Sequence, residues 1–90
     1  MSYLQLIENA KDIYPNDKFL DITERKWFGK YSYLLIYHDF NYVNIIEINF
    51  WDTTSDVNVA PLIIDDWAID ISKKLQEYFS LLGFNIKKWV

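Results

Sequence analysis

The chain has 90 residues, of which 51% are hydrophobic and 24% are charged, as in ordinary globular domains and unlike disordered chains. It contains no cysteine, which excludes disulfides, zinc–thiolate sites and thiol catalysis and favours a reducing compartment. No apolar run is long enough to span a membrane, and the first ten residues do not resemble a signal peptide. The sequence therefore predicts a single cytoplasmic domain over residues 1–90.

The net charge of −4 is distributed unevenly along the chain. Acids and bases balance in residues 1–30, whereas bases exceed acids in residues 71–90. Residues 31–70 contain neither Lys nor Arg, and they carry seven acids: Asp39, Glu47, Asp52, Asp56, Asp65, Asp66 and Asp70. A long segment of one charge sign indicates something about partners rather than about fold.

The N-terminal segment has the pattern of an amphipathic helix followed by a strand. Ser2 suits the N-cap of a helix over about residues 3–14, in which apolar side chains recur every three or four positions. Pro15–Asp17 is predicted to end this helix, because the residue before proline avoids the α region and Asn and Asp favour turns. A short strand is predicted at about residues 18–23.

The clearest strands lie at residues 31–38 and 42–51, which are rich in Tyr, Ile, Leu, Val, Phe and Trp. The intervening Asp39–Asn41 contains two turn-forming residues, which predicts a β-hairpin. Apolar side chains alternate only partly along both segments, a pattern typical of central strands that are covered on both faces.

A polar segment over residues 52–60 is predicted to be a loop, and Pro61 then suits the first position of a long helix over about residues 61–82. Asp70 stands four residues before Lys74, which favours an ion pair, and Gly83 suits the C-terminal cap. The apolar stripe of this helix follows a regular spacing of four and three: Ile64, Ala68, Ile71, Leu75, Tyr78 and Leu82.

A final strand is predicted at about residues 84–89. The sequence therefore predicts an α+β fold, in which the two helices pack on one face of a small, mostly antiparallel sheet. The sheet is expected to have three to four strands, at about 18–23, 31–38, 42–51 and 84–89.

Motifs for catalysis and for cofactor binding are missing from the sequence. Gly29 and Gly83 are the only glycines, so no phosphate-binding loop is present. The spacing of the carboxylates does not fit a calcium loop. His38, followed by Asp39, is the sole histidine and is interpreted as a turn residue, with a small enzyme using His38 as the alternative. No catalytic, cofactor or metal site is therefore predicted.

Two basic pairs stand beside aromatic residues, as in some nucleic-acid-binding proteins. Arg25-Lys26 precedes Trp27-Phe28, and Lys87-Lys88 precedes Trp89. Lysines at a strand edge also block pairing with other sheets, and the isoelectric point is about 4.7. These pairs are interpreted as solvated edges, and no direct contact with nucleic acid is predicted.

The acidic middle of the chain favours a role in protein binding. A solvated helix N-terminus accounts for some of these acids, but not for forty residues without a base. In style the chain resembles small acidic inhibitors such as nuclease-toxin immunity proteins, antitoxins and phage-encoded inhibitors of host defence. The hypothesis is a stoichiometric inhibitor of a basic partner; the alternative is an assembly subunit or homodimer. The predicted contact residues are Asp52, Asp56, Asp65, Asp66 and Asp70, with Trp67 as an aromatic anchor.

Overall fold

The computed structural model describes residues 2–14, 19–38 and 42–87. The elements within these residues form an α+β domain. In chain order they are helix α1 (Tyr3–Glu8), a 3₁₀ turn (Lys11–Ile13), strands β1 (Phe19–Trp27), β2 (Lys30–His38), β3 (Val43–Trp51) and β4 (Asp56–Pro61), helix α2 (Asp66–Leu81) and strand β5 (Asn85–Ile86).

The strands form one sheet in the order β1-β2-β3-β4-β5. The first four make an antiparallel meander, and β5 pairs with β4 in parallel after the chain crosses over through α2. The α+β class, the mostly antiparallel sheet and the long helix are confirmed. The described residues form five strands rather than the three to four predicted.

Both helices cover the same face of the sheet. The register places Tyr33 opposite Ile48 and Leu35 opposite Ile46, and all four side chains are buried. Ile7 of α1 and the α2 residues Ile71, Leu75 and Phe79 complete one hydrophobic cluster with this face. Each fully buried side chain of this size contributes about 1.5–3 kcal/mol. The Tyr78 hydroxyl of α2 also donates to the Leu6 carbonyl (2.8 Å), which joins the two helices.

Strand β4 lies in the segment that was predicted to be a loop. Val57 and Val59 point into the core and are buried, while the intervening Asn58 faces the other side of the sheet. This alternation of buried and outward-facing residues is the pattern of a short strand. The segment was predicted to be a loop because its polar residues give it the composition of one. Pro61 ends this strand instead of opening the long helix. At the end of a strand, the lack of a backbone N–H does not interrupt the hydrogen bonds between central strand residues.

Helix α2 begins at Asp66, five residues later than predicted, because Asp65 supplies the N-cap. The Asp65 carboxylate accepts a hydrogen bond from the Ala68 backbone N–H (2.8 Å). Residues 62–64 form an exposed connection, so Ile64 does not continue the buried stripe. The predicted ion pair exists, with Asp70 Oδ2 3.1 Å from Lys74 Nζ.

The end of α2 follows the predicted cap. Gly83 has a φ of +98°, and its N–H donates to the Ser80 carbonyl (3.0 Å). The Phe84 N–H donates to the Phe79 carbonyl (3.1 Å), and the two rings meet edge to face at 5.9 Å. These are the two hydrogen bonds and the apolar contact of a Schellman motif.

The remaining boundaries differ from the prediction in length. The N-terminal helix ends at Glu8, with Ser2 as its N-cap as predicted, and a 3₁₀ turn follows. Strand β1 extends to Trp27, because it pairs with β2 along its whole length, and β5 has two residues. The predicted turn residues 15–17 and 39–41 and the predicted strand residues 88–89 lie outside the described residues.

Candidate functional site

The six predicted contact residues lie at opposite ends of the sheet. Strand β4 separates the two groups, and its six residues span about 20 Å. At one end, Asp52 lies in the β3–β4 turn and Asp56 begins β4. At the other end, around the start of α2, lie Asp65, Asp66, Trp67 and Asp70. The structure therefore brings these residues together as two groups and not as one surface.

Asp65 and Trp67 are engaged in contacts within the protein. Besides capping α2, Asp65 accepts hydrogen bonds from the Tyr42 hydroxyl and from the Asn44 amide, the latter at 3.1 Å. The half-buried Trp67 ring packs edge to face against Tyr37 (5.0 Å) and Tyr42 (6.0 Å). These contacts give both side chains a structural role at the start of the helix.

Asp66 and Asp70 differ from Asp65 in being exposed. The Asp70 carboxylate is 62% exposed, and its partner Lys74 neutralises part of its charge. Such an exposed pair contributes about 0.3–0.5 kcal/mol within a helix. Asp66 lies in the first turn of α2, where a negative charge is favoured by the helix dipole.

A cleft of about 400 Å³ opens at the other end of the molecule. We call it the tyrosine cleft, and its walls come from α1, β1, β2 and the β3–β4 turn. It is lined by three tyrosines and two carboxylates together with a serine and a lysine: Tyr3, Tyr31, Tyr33, Glu24, Asp52, Ser2 and Lys26. Asp52 was predicted as a contact residue, whereas the other members were not.

The aromatic wall of the tyrosine cleft is fixed by packing. The Tyr3 ring stacks on the buried Phe50 ring at 4.3 Å, with 10° between the ring planes. Tyr31 lies 5.2 Å from Tyr3 at a tilt of 59°. Tyr33 is almost fully buried and meets Phe50 edge to face at 5.8 Å. The rings therefore form a rigid wall that continues the hydrophobic core to the surface.

Both carboxylates of the tyrosine cleft are oriented by tyrosine hydroxyls. Tyr33 donates to Glu24 Oε2 at 2.6 Å, and Tyr3 donates to Asp52 Oδ1 at 3.2 Å. Burial, followed by the hydrogen bond to the neighbouring carboxylate, raises the pKa of both tyrosines above 10. The hydroxyls of Tyr3 and Tyr33 therefore remain protonated donors at neutral pH.

Lys26 supplies the positive charge at the tyrosine cleft. Its Nζ lies 5.5 Å from the centroid of the Tyr31 ring, within the range of a cation–π contact. The same Nζ lies 3.7 Å from Glu24 Oε1, and the Lys26 side chain is 63% exposed. This ammonium group is therefore held only weakly, at the rim of the cleft.

The sheet face opposite the helices, which we call the open face, carries no described helix. Cross-strand neighbours form its apolar centre, where Leu34, Ile36 and Ile45 are half-buried and Val43 is 52% exposed. The prediction of strands covered on both faces is therefore not met within the described residues. Scattered apolar surface side chains are ordinary, but a contiguous strip of this kind is typical of an interface.

One end of the open face carries a row of lysines and tryptophans. Lys30 Nζ lies 5.6 Å from the ring centroids of both Trp27 and Trp51, and Lys87 Nζ lies 4.7 Å from Trp51. The lysines of the two basic pairs thus separate in space, because Lys26 lies at the tyrosine cleft. The predicted neighbours Lys88 and Trp89 lie outside the described residues.

His38 lies on the open face, where its Nε2 is 2.9 Å from Asp21 Oδ2. The side chains are 36% and 71% exposed, and His38 is not part of the lining of the tyrosine cleft. Asp39, the neighbour considered from the sequence, lies outside the described residues. The observed carboxylate partner comes instead from the adjacent strand.

These features define a small α+β domain, a four-stranded antiparallel meander to which a helix adds one parallel strand. No protein-family model, curated protein or solved structure matches the chain. Within residues 2–14, 19–38 and 42–87, no three His, Asp or Glu side chains group closely enough to hold a metal ion. None of the helices in this part of the chain has the length and apolarity to cross a membrane.

Proposed function

We propose that the protein is a small protein-binding module that inhibits a basic partner by one-to-one binding. A nuclease-type toxin is a suitable partner, which makes the chain an immunity protein or an antitoxin. A nucleic-acid enzyme of host defence, blocked by a phage-encoded inhibitor, fits the same chemistry. Such enzymes present cationic surfaces because they must hold phosphate groups.

The observation that supports this proposal is the tyrosine cleft. Glu24 and Asp52 present carboxylates beside packed aromatic rings, and tyrosines are frequent at the centres of interfaces. Oriented carboxylates spend little free energy on reorganisation when a cation binds, because their hydrogen bonds already hold them in place. The cleft is therefore a preformed contact site for a positively charged partner.

Asp66 and Asp70 have a second role in this proposal. They lie at the opposite end of strand β4 from the tyrosine cleft. Their negative charges therefore attract an approaching cationic surface through long-range electrostatic forces and not through direct contacts at the cleft. Exposed charges of this kind accelerate association through electrostatic steering, and salt screens their effect. Direct contacts at the cleft instead control how long the complex lasts.

The test begins with immobilised protein, a native lysate at low salt and elution with a salt gradient, followed by mass spectrometry. One basic protein at equal stoichiometry is expected, and its activity should fall to the background level when one equivalent of the chain is added. Release at high salt would follow from screening of the charge contacts. Partner capture without inhibition would refute the inhibitor role.

Surface plasmon resonance with the captured partner then separates the two groups of acids. Glu24→Gln with Asp52→Asn should accelerate dissociation about tenfold, whereas Asp66→Lys with Asp70→Lys should mainly slow association. Glu77→Gln, the loss of one exposed charge on α2, is the control: it should leave dissociation unchanged and should slow association far less than the double reversal at Asp66 and Asp70. Unchanged kinetics in both double variants would contradict the proposal.

A second candidate function is assembly as a homodimer through the open face. Its support is the strip of Leu34, Ile36, Val43 and Ile45, which a second copy would cover by stacking sheet on sheet. Sedimentation velocity distinguishes the two functions. A dimer at micromolar concentration that Ile45→Asp converts to a monomer favours assembly, and a monomer of the unaltered chain excludes it.

A further inference from the structure

We infer that the tyrosine cleft receives an arginine side chain of the partner and that Lys26 occupies this position in the unbound protein. The inference rests on the proposed function, because it specifies the chemistry by which the basic partner is held. When the partner binds, its arginine guanidinium replaces the Lys26 ammonium group in the cleft.

The lining of the tyrosine cleft matches the two binding modes of a guanidinium. The group is planar, so it stacks on an aromatic ring such as that of Tyr31, and its N–H groups donate in pairs to a carboxylate. Glu24 and Asp52 each accept from one tyrosine hydroxyl and offer their other oxygen to such a donor. A guanidinium is also less strongly hydrated than an ammonium, so it loses less when it enters a cleft partly lined by rings.

Lys26 shows that the tyrosine cleft already attracts a cation. Its Nζ contacts both kinds of group that a guanidinium would use, since it lies 5.5 Å from the Tyr31 centroid and 3.7 Å from Glu24 Oε1. The distance to Glu24 exceeds that of a charged hydrogen bond, which is about 2.7–2.9 Å. With 63% of its side chain exposed, Lys26 can turn into solvent when another cation arrives.

The carboxylates, oriented by the tyrosine hydroxyls, make the site selective for a charged donor. Tyr33 and Tyr3 each use one carboxylate oxygen, on Glu24 and Asp52, and thereby fix the direction of the other oxygen. A neutral ligand of the same shape lacks the charge that strengthens a hydrogen bond to a carboxylate. An arginine side chain and its uncharged isostere, citrulline, should therefore bind with different affinities.

The test is an NMR titration of the whole chain at low salt with N-acetyl-arginine N-methylamide as the probe. The expected dissociation constant is about 6–300 mM, the range of one exposed cation–π contact together with one or two exposed charge pairs. Chemical shift changes should concentrate at Tyr3, Tyr31 and Glu24. The citrulline amide should produce no saturable shift at these positions.

Variants distinguish the tyrosine cleft from a general attraction of cations to an acidic protein. Lys26→Gln should strengthen binding about two- to fivefold, because the intramolecular competitor is gone. Lys73→Gln, an exposed change on α2 with the same charge difference, should leave binding unchanged. Tyr31→Leu should weaken it about threefold, and circular dichroism verifies that this variant is folded.

Several results would overturn the inference. Equal effects of Lys26→Gln and Lys73→Gln would show that only net charge matters, and equal shifts with the citrulline amide would show that charge does not. Absence of binding by the arginine probe, while the protein still captures a basic partner, would reject the cleft assignment and leave the proposed function intact. Binding of the arginine probe without inhibition of any partner would support the cleft assignment and reject the proposed function.

Discussion

Substitution of Asp65 by alanine tests whether this carboxylate holds the start of α2 in place. The change removes the N-cap hydrogen bond to the Ala68 N–H, which costs about 1 kcal/mol. It also removes an acceptor from the amide of Asn44, a side chain with no exposed surface, which costs about 1–3 kcal/mol. The sum predicts a loss of about 2–4 kcal/mol in the free energy of unfolding.

The assay is urea unfolding followed by circular dichroism. With a slope of about 1.5 kcal/mol per molar urea, the midpoint should fall by roughly 1–3 M at constant slope, and Tm should fall by about 10–25 °C. Asp65→Asn should be intermediate, because its carbonyl can still cap the helix while its amide faces the Asn44 donor. Asp66→Ala, an exposed change one position later, should cost less than about 1 kcal/mol.

A loss in Asp65→Ala no greater than that in Asp66→Ala would refute this reasoning. It would mean that the hydrogen bonds of Asp65 are replaced by solvent without cost, so that the start of α2 does not depend on them. Hydrogen exchange of the Ala68 amide provides a second readout, because loss of the cap should accelerate exchange in the first turn before it affects the rest of the helix.

Three further predictions concern the core and the helix end. Gly83→Ala should lower the free energy of unfolding by about 1–2 kcal/mol, because a φ of +98° is strained for alanine. Among the described residues outside its chain neighbours, the added Cβ meets no atom within 4 Å, so no new contact offsets the strain. An unchanged urea midpoint would contradict this. Among the described residues the buried Tyr37 hydroxyl has no hydrogen-bond partner, so Tyr37→Phe should leave stability unchanged or raise it by about 1 kcal/mol. A clear loss of stability in urea unfolding would contradict this, because it would mean that the hydroxyl makes a stabilising hydrogen bond. Burial raises the pKa of Tyr14, Tyr33 and Tyr37 above the ordinary value of 10.0, so the folded chain keeps protons that the unfolded chain releases. Stability should therefore be independent of these groups below pH 10 and fall as the pH rises further. Phenolate absorbance equivalent to more than four of the seven tyrosines before the chain unfolds would contradict this.

The central hairpin and the long helix could be predicted because their signals are local. Aromatic and β-branched residues mark β2 and β3, and the three–four spacing marks α2 together with the Asp70–Lys74 pair and the Gly83 cap. Strand β4 was missed because its polar residues alternate with only two buried valines. The predicted start of α2 is wrong because proline at the first helical position and aspartate at the N-cap are both ordinary signals for a helix start. Only the hydrogen bond that Asp65 accepts from the Ala68 N–H distinguishes Asp65 from Pro61.

The tyrosine cleft could not be predicted, since its members are brought together by the sheet and not by spacing. Tyr3 and Asp52 are 49 positions apart in the sequence and meet through a side-chain hydrogen bond. Glu24 belongs to the first third of the chain, where acids and bases balance. Because the basic neighbours Arg25 and Lys26 offset its charge in the sequence, Glu24 did not stand out as a candidate contact residue. The pairing of β1 with β2 places Glu24 opposite Tyr33, and only this register shows that the carboxylate faces the rings.

The parallel pairing of β5 has a consequence for how the chain folds during synthesis. Neighbouring strands of the meander are joined by short connections, whereas Asn58 bonds to Lys87 across 29 positions (3.2 Å) and needs α2 in place first. Domains are synthesised from the N-terminus, so all four strands of the meander leave the ribosome before α2 does. During that interval the part of the core face that α2 later covers, with its Ile, Phe and Val side chains, is exposed to other chains. Truncation of the chain after Pro61 should therefore raise aggregation, because α2 then never covers this face.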